Sequence, residues 1–182
     1  MKRKTAKELL LDSFLELAET KSIDRITVRE ITQNCGYSPA TFYRHFRDKY
    51  DLIARSHAAF VAQVMEQIGV DGYQWKQTLL DGAHNFDRNK EVLANLFLHT
   101  HGQDSFVRYM TDINFNALKK HILAVSGASE LEEKTEMYVR IYCLGTVNLT
   151  CEWILGRYRA TPEELAEVFE HSLPAPLHQY LL

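Results

Sequence analysis

The chain has 182 residues, 46% of them hydrophobic and 25% charged, the make-up of a globular protein long enough for one domain or two small ones. Eight glycines and four prolines exclude collagen-like and proline-rich disordered architectures, and no run approaches the roughly 18 consecutive apolar residues of a membrane span. The net charge of -3 is uneven: residues 1–60 carry 11 Lys/Arg against 8 Asp/Glu, and residues 61–182 carry 10 against 16. A basic front on an acidic body predicts that the front alone meets a polyanion.

The segment Met1-Lys2-Arg3-Lys4-Thr5 has the charge of a signal peptide but no apolar region behind it, so a cytoplasmic protein is expected. Cys35, Cys143 and Cys151 are too few and too scattered for a disulfide framework or a zinc knuckle. A helix from Thr5 to about Glu19 is predicted by the apolar stripe Leu9, Leu10, Phe14, Leu17 and Ala18. A short connection follows, with Ile23 and Ile26 as its apolar anchors. Thr27-Val28-Arg29-Glu30 is a capping-box pattern that opens a helix from Val28 to about Asn34. Gly36 ends it in the left-handed conformation. Ser38 as N-cap and Pro39 at the first helical position open the next helix, to about His45. Asp48 caps a long helix from Lys49 to about Ile68.

Further helices are predicted near 73–86, 90–99, 104–123, 130–156 and 161–173. Thr161-Pro162-Glu163-Glu164 gives the last one a cap, a proline start and a capping box. Pro174-Ala175-Pro176 stops it, and Leu177 to Leu182 can add a terminal turn. No hairpin signal and no internal repeat is visible, so the expected fold is all-α.

The sharpest feature is residues 27–46. A capped helix of about seven residues, a glycine turn and a second short helix have the geometry of a helix-turn-helix. Phe42 and Phe46, four apart, face inward with Ile31 and Val28. Thr41, Tyr43, Arg44 and His45 then face outward, with Arg47 and Lys49 behind them. One short element thus supplies donors for phosphates and for base edges.

The run from Ile31 to Leu52, with its glycine turn, Thr41-Phe42-Tyr43-Arg44-His45-Phe46 and the following Lys49 and Leu52, resembles the DNA-binding domain of the TetR/AcrR family. The similarity extends back to about Thr5. It implies a three-helix DNA-binding domain at residues 1–52 and a helical effector-binding and dimerisation domain at 53–182. Thr27, Ser38, Thr41, Tyr43 and His45 match positions that touch DNA in the family. Tyr43, His45 and Lys49 match phosphate contacts, and Ala40 and Arg44 match variable positions tied to operator choice. Cys35 departs from the family's small alanine and reads as a small buried hydrophobe. More weakly, the pieces around His101-Gly102-Gln103-Asp104-Ser105-Phe106 and from Tyr142 to Ile154 resemble a subgroup that includes the activator of dihydroxyacetone kinase genes. That similarity fixes no effector.

In the body, Trp75, Phe86, Phe97, Phe106, Phe115 and Trp153 supply aromatic wall material for a cavity, although each alone reads as core. Phe97, His101, Phe106 and Tyr109 are the expected ligand pocket. His99 and His101 are two apart and share no helix face, so no metal site and no cofactor is expected. The stripe Tyr138, Tyr142, Gly145, Thr146, Leu149 and Trp153, with Leu165 and Phe169 on the last helix, is the expected dimer interface. A lone helix-turn-helix reads too little DNA, which favours a two-fold dimer on an inverted repeat.

No nucleophile elbow, phosphate loop or HExxH marks an enzyme. The expected function is a homodimeric repressor released from a palindromic operator by a small-molecule effector. The alternatives are an activator working with a protein partner, or a helical protein-interaction module.

Overall fold

The computed structural model describes residues 4–99 and 106–182, and those residues form helices and turns with no strand among them. The N-terminal part consists of α1 (Ala6–Thr20), a 3-10 turn (Ile23–Arg25), α2 (Val28–Asn34) and α3 (Pro39–His45). The long α4 (Lys49–Glu66) leads into the body. There, α5 (Trp75–Arg88), α6 (Lys90–His99), α7 (Phe106–Ser126), α8 (Glu133–Ile154) and α9 (Pro162–His171) follow. A 3-10 turn (Ala175–Leu177) and the short α10 (His178–Leu181) close the chain.

The helix boundaries follow from local chemistry. Thr27 Oγ1 accepts from the Glu30 N–H at 3.2 Å, while the Thr27 N–H donates to the Glu30 carboxylate at 2.9 Å. Two of the donors that a helix start leaves unpaired are thereby satisfied. The hydrogen bond from Lys21, followed by those from Thr27, holds the Glu30 carboxyl down to about 2. Asp48 accepts from the N–H groups of Tyr50 and Asp51, both at 2.8 Å, and starts α4 in the same way.

At the end of α2, Gly36 takes φ +75°. This lets Tyr37 N–H reach back to Thr32 C=O at 2.8 Å and Gly36 N–H to Gln33 C=O at 3.3 Å, a Schellman closure that only a residue without Cβ adopts freely. Beyond α4, the chain turns through Asp71 and two glycines, Gly69 and Gly72, all at positive φ, which ends the helix two residues before Ile68.

The core is continuous across the expected domain boundary. Leu10, Phe14, Ile31 and Phe42 of the N-terminal helices share one buried cluster with Ile53 of α4, Leu93 and Leu96 of α6, and Trp153 and Phe169 of α8 and α9. A second cluster at the far end gathers Phe115, Leu118 and Ile122 of α7 with Val139 of α8 and Leu173, Leu177 and Leu181. The terminal turns therefore act as a plug on that end. Ser13 Oγ donates to Ile31 C=O at 2.7 Å and Asn34 Nδ2 to Ser13 Oγ at 3.2 Å, which fixes α2 against α1.

Candidate nucleic-acid interface and internal cavity

α3 is short, and its cap and its core define which face it offers. Ser38 Oγ accepts from Thr41 N–H at 3.3 Å and lies 3.2 Å from Thr41 Oγ1. Phe42 is fully buried, with its ring 5.6 Å from that of Phe46 and edge-on at 5.6 Å to that of Tyr43. Fixing Phe42 inward turns Tyr43 outward, where it is 60% exposed. Ser38, Ala40 and Arg44 are exposed with it, and Thr41 and His45 are half-buried at its margin. Thr27 is exposed at the start of α2. Ser38, Ala40, Tyr43 and Arg44 thus make the exposed side of the second helix of a helix-turn-helix.

Lys49 is placed differently from the rest. Its ammonium donates to the carbonyls of Ile23 at 2.6 Å, Asp24 at 2.8 Å and Ile26 at 2.8 Å. All three of its N–H donors are thereby used inside the protein. Burial pushes its pKa down, and Asp24 and Asp48 oppose that shift. The family resemblance that implies a phosphate contact at Lys49 does not reveal this arrangement, because nothing in the spacing shows that the 3-10 turn presents three carbonyls to it.

The body contains a cavity of about 110 Å³ between α4, α5, α7, α8 and α9. His57, Thr78, Gly82, Asn114, Thr146 and Phe169 represent the five helices in its wall. His57 Nε2 lies 3.3 Å from Asn114 Oδ1, and its ring stacks at 5.9 Å on Phe86. Burial drives the His57 pKa down to about 4, against a smaller upward pull from Asn114, so the imidazole is neutral at pH 7. The thiol of Cys143, also in the wall, is pushed up to about 12 by burial and is unreactive as a thiolate. Trp75 Nε1 and Thr78 Oγ1 are buried without a well-formed hydrogen bond. Each sits beside a tyrosine hydroxyl, Tyr142 and Tyr73 respectively.

Of the residues expected to form the pocket, Phe97, Phe106 and Tyr109 do not line this cavity. Phe97 and Phe106 are buried core residues with rings 6.1 Å apart, and Phe106 stands behind His57 at 6.4 Å. Tyr109 is half-buried on α7, and His101 lies outside the described residues. Aromatic content alone does not distinguish a ring that borders a void from one that fills the core. The polar pair His57 and Asn114 on otherwise buried helix faces, and Gly82 in mid-helix, were the better sequence signals.

Of the eight residues expected at the dimer interface, four are not on the surface of the chain. Tyr142, Trp153, Leu165 and Phe169 are buried within the protomer: Trp153 Nε1 donates to Ala160 C=O at 2.7 Å, and Tyr142 Oη donates to Phe169 C=O at 2.9 Å. Tyr138, Thr146 and Leu149 are half-buried and Gly145 is exposed. α8 is apolar on two sides, and the predicted stripe is mostly the inward one. The outward stripe is Met137, Ile141 and Leu144, exposed by 65%, 65% and 45%, with Gly145 beside it.

Among the described residues, no cluster of His, Cys, Asp and Glu could hold a metal ion, and no helix is long and apolar enough to cross a membrane. A capped helix-turn-helix on an all-helical body is the architecture of DNA-binding transcriptional regulators. Residues 10–55 match the bacterial regulatory proteins of the tetR family, and residues 73–174 match a transcriptional regulator C-terminal region. The chain belongs to the TetR family.

A Haemophilus influenzae (strain ATCC 51907 / DSM 11121 / KW20 / Rd) protein, an uncharacterized HTH-type transcriptional regulator, is 37% identical over 129 residues. That alignment covers 71% of this chain and 54% of the relative, so the chain spans about half of that protein. Among solved structures, the dihydroxyacetone kinase operon activator DhaS is similar with a TM-score of 0.69 at 18% identity, over 97% of this chain and 98% of its own. Thermus thermophilus FadR, a TetR-family repressor in complex with lauroyl-CoA, has a TM-score of 0.59 at 18% identity, over 97% and 95%. At that identity, both show a shared fold.

Proposed function

We propose that the chain is a homodimeric transcriptional repressor that reads an inverted-repeat operator through α3 and releases it when a small molecule occupies the body cavity. The observation that carries this reading is the course of α4. Lys49 at its start holds the turn beside the helix-turn-helix, while His57 and Val64 further along it face the cavity. One rigid element therefore touches both sites, and a ligand that favours one setting of α4 resets the spacing of the two recognition helices. Moving the operator-competent fraction from 99% to 1% takes a preference of about 5.5 kcal/mol between the two states.

In this reading, Thr27, Ser38, Thr41, Tyr43 and His45 position the protein on the DNA backbone, and Ala40 and Arg44 face the base edges. Lys49 supports them from behind. The second copy docks on the outward stripe of α8, Met137, Ile141 and Leu144, where exposed Gly145 lets two helices approach closely. An unpartnered apolar stripe of this kind is what an isologous two-fold contact covers.

The test is a gel shift of purified protein on duplex DNA from upstream of its own gene, with a reporter driven by the same segment. Retardation together with a reporter that rises when the gene is deleted is expected. A reporter that falls on deletion makes the protein an activator and overturns the repressor assignment.

A further inference from the structure

The walls of the cavity carry information about its ligand. Among the described residues, no wall residue is charged; the polar groups are amide, imidazole, hydroxyl, indole N–H and thiol. Its volume of about 110 Å³ is of the order of the ~150 Å³ engineered cavity that takes up benzene, so it suits a ligand of one ring and one small substituent. Gly82, in the middle of α5, contributes to the space: a Cβ there would meet no atom within 4 Å. A mid-helix glycine costs helix stability, and here the side chain it omits leaves the wall open.

The polar end is His57 with Asn114. A carboxamide oxygen only accepts, so the neutral imidazole donates from Nε2 to Asn114 Oδ1 and keeps its other nitrogen as an acceptor. The Asn114 amide still offers N–H donors. The pair thus leaves one imidazole acceptor and one amide donor, either of which can engage a hydroxyl, and the amide donor can also engage a carbonyl.

We infer that the effector is a compact, uncharged, mainly apolar molecule of about one-ring size that carries one hydroxyl or carbonyl group, held at the His57–Asn114 end of the cavity. This rests on the reading of the cavity as the effector site. A carboxylate of the same size would lose its water with no cation in the wall to replace it. A triose polyol would leave most of its hydroxyls without partners. An acyl-CoA has neither the room nor a basic group to receive its phosphates. The low basicity of buried His57 fits this selection, because the imidazole does not become a counter-ion for an acid at neutral pH.

The experiment is calorimetric titration and thermal shift of the 182-residue chain at pH 7.5 with benzyl alcohol, toluene, benzoate, dihydroxyacetone and lauroyl-CoA. Each probe is applied to the parent protein, to Gly82→Leu, which fills the cavity, and to Asn114→Leu, which removes its polar end. Benzyl alcohol should bind at one site per chain and raise the melting temperature. Benzoate should bind at least tenfold more weakly, and dihydroxyacetone and lauroyl-CoA should give no saturable binding. Gly82→Leu should abolish the benzyl alcohol signal, and Asn114→Leu should erase its advantage over toluene. If benzoate, dihydroxyacetone or lauroyl-CoA binds as well as benzyl alcohol and Gly82→Leu blocks it, the ligand class is wrong and the cavity remains the site. Binding that survives Gly82→Leu, or no binding by any probe, overturns the cavity as effector site and the inference with it.

Discussion

Asn95 on α6 and Lys49 at the start of α4 hold opposite ends of one residue. Asn95 Oδ1 accepts the Ile23 N–H at 3.2 Å, and Lys49 Nζ donates to the Ile23 C=O at 2.6 Å. Asn95 Nδ2 also donates to Lys21 C=O at 3.0 Å and to Ala18 C=O at 3.4 Å. The turn between α1 and α2 is thus clamped by one polar side chain from the body and one from the connecting helix. Because Ile23 itself is fully buried, the clamp sits where the two halves of the core meet.

Replacing Asn95 with Leu keeps the bulk and removes the hydrogen bonds. The buried partners lose their pairing, and the protein should lose about 1–3 kcal/mol of stability in urea unfolding. Benzyl alcohol should still bind the variant, but its effect on operator affinity should shrink. An unchanged effect on operator affinity would show that α6 plays no part in the coupling.

Lys49→Met separates a supporting role from a phosphate contact. With all three donors already spent on carbonyls, the substitution should lower stability by about 1–3 kcal/mol and leave the salt dependence of DNA binding unchanged. If the slope of log K against log salt falls by about 1, the ammonium neutralises a phosphate in the complex.

The helix-turn-helix was legible because its boundaries are set by neighbours in sequence. Thr27 with Glu30, Ser38 with Pro39, Asp48, and Gly36 each satisfy or redirect backbone groups within a few residues, and the structure has them in those roles. The cavity and the exposed stripe of α8 depend instead on which of several apolar faces turns inward. Trp153 and Met137 both sit on an apolar face of α8, yet one is 1% exposed and the other 65%. Periodicity finds such faces; long-range packing chooses between them. The carbonyls around Lys49 belong to a turn more than twenty residues upstream, beyond any local signal.

On α3, Tyr43→Phe removes the exposed hydroxyl proposed above to contact the DNA backbone, and it should weaken binding to every sequence alike. Arg44→Ala should instead relax the preference at one operator position, by about 1–3 kcal/mol if the guanidinium pairs bidentately with a base. Titrations on the operator and on single-base variants distinguish the two. A uniform loss for Arg44→Ala would make it a backbone contact.

Ile141→Asp puts a carboxylate in the middle of the outward α8 stripe. Burying it unpaired in a two-fold contact costs several kcal/mol, so the dimer dissociation constant should rise by about 100-fold or more. Sedimentation at micromolar concentration should show the parent at twice the chain mass and the variant at the chain mass. A variant that remains dimeric places the interface elsewhere.

The sign of the His57 shift fixes a pH effect. Its pKa falls from 6.5 to about 4 on folding, so between those values the unfolded chain binds the extra proton. This contribution to stability is fully present above pH 6.5 and is lost as the pH falls towards 4. Comparing urea unfolding at pH 7 and pH 4.5, the parent should lose about 2–3 kcal/mol more than His57→Phe. Equal losses would mean that His57 titrates normally in the folded protein.

Selection from a random duplex library by the 182-residue chain tests whether two copies read DNA together, whatever the operator sequence is. Enrichment of an inverted repeat is expected, with half-sites centred about one helical turn apart, or a multiple of it, and two chains on each selected duplex. Enrichment of a single unrepeated half-site bound by one chain, or no enrichment over the starting library, would contradict it.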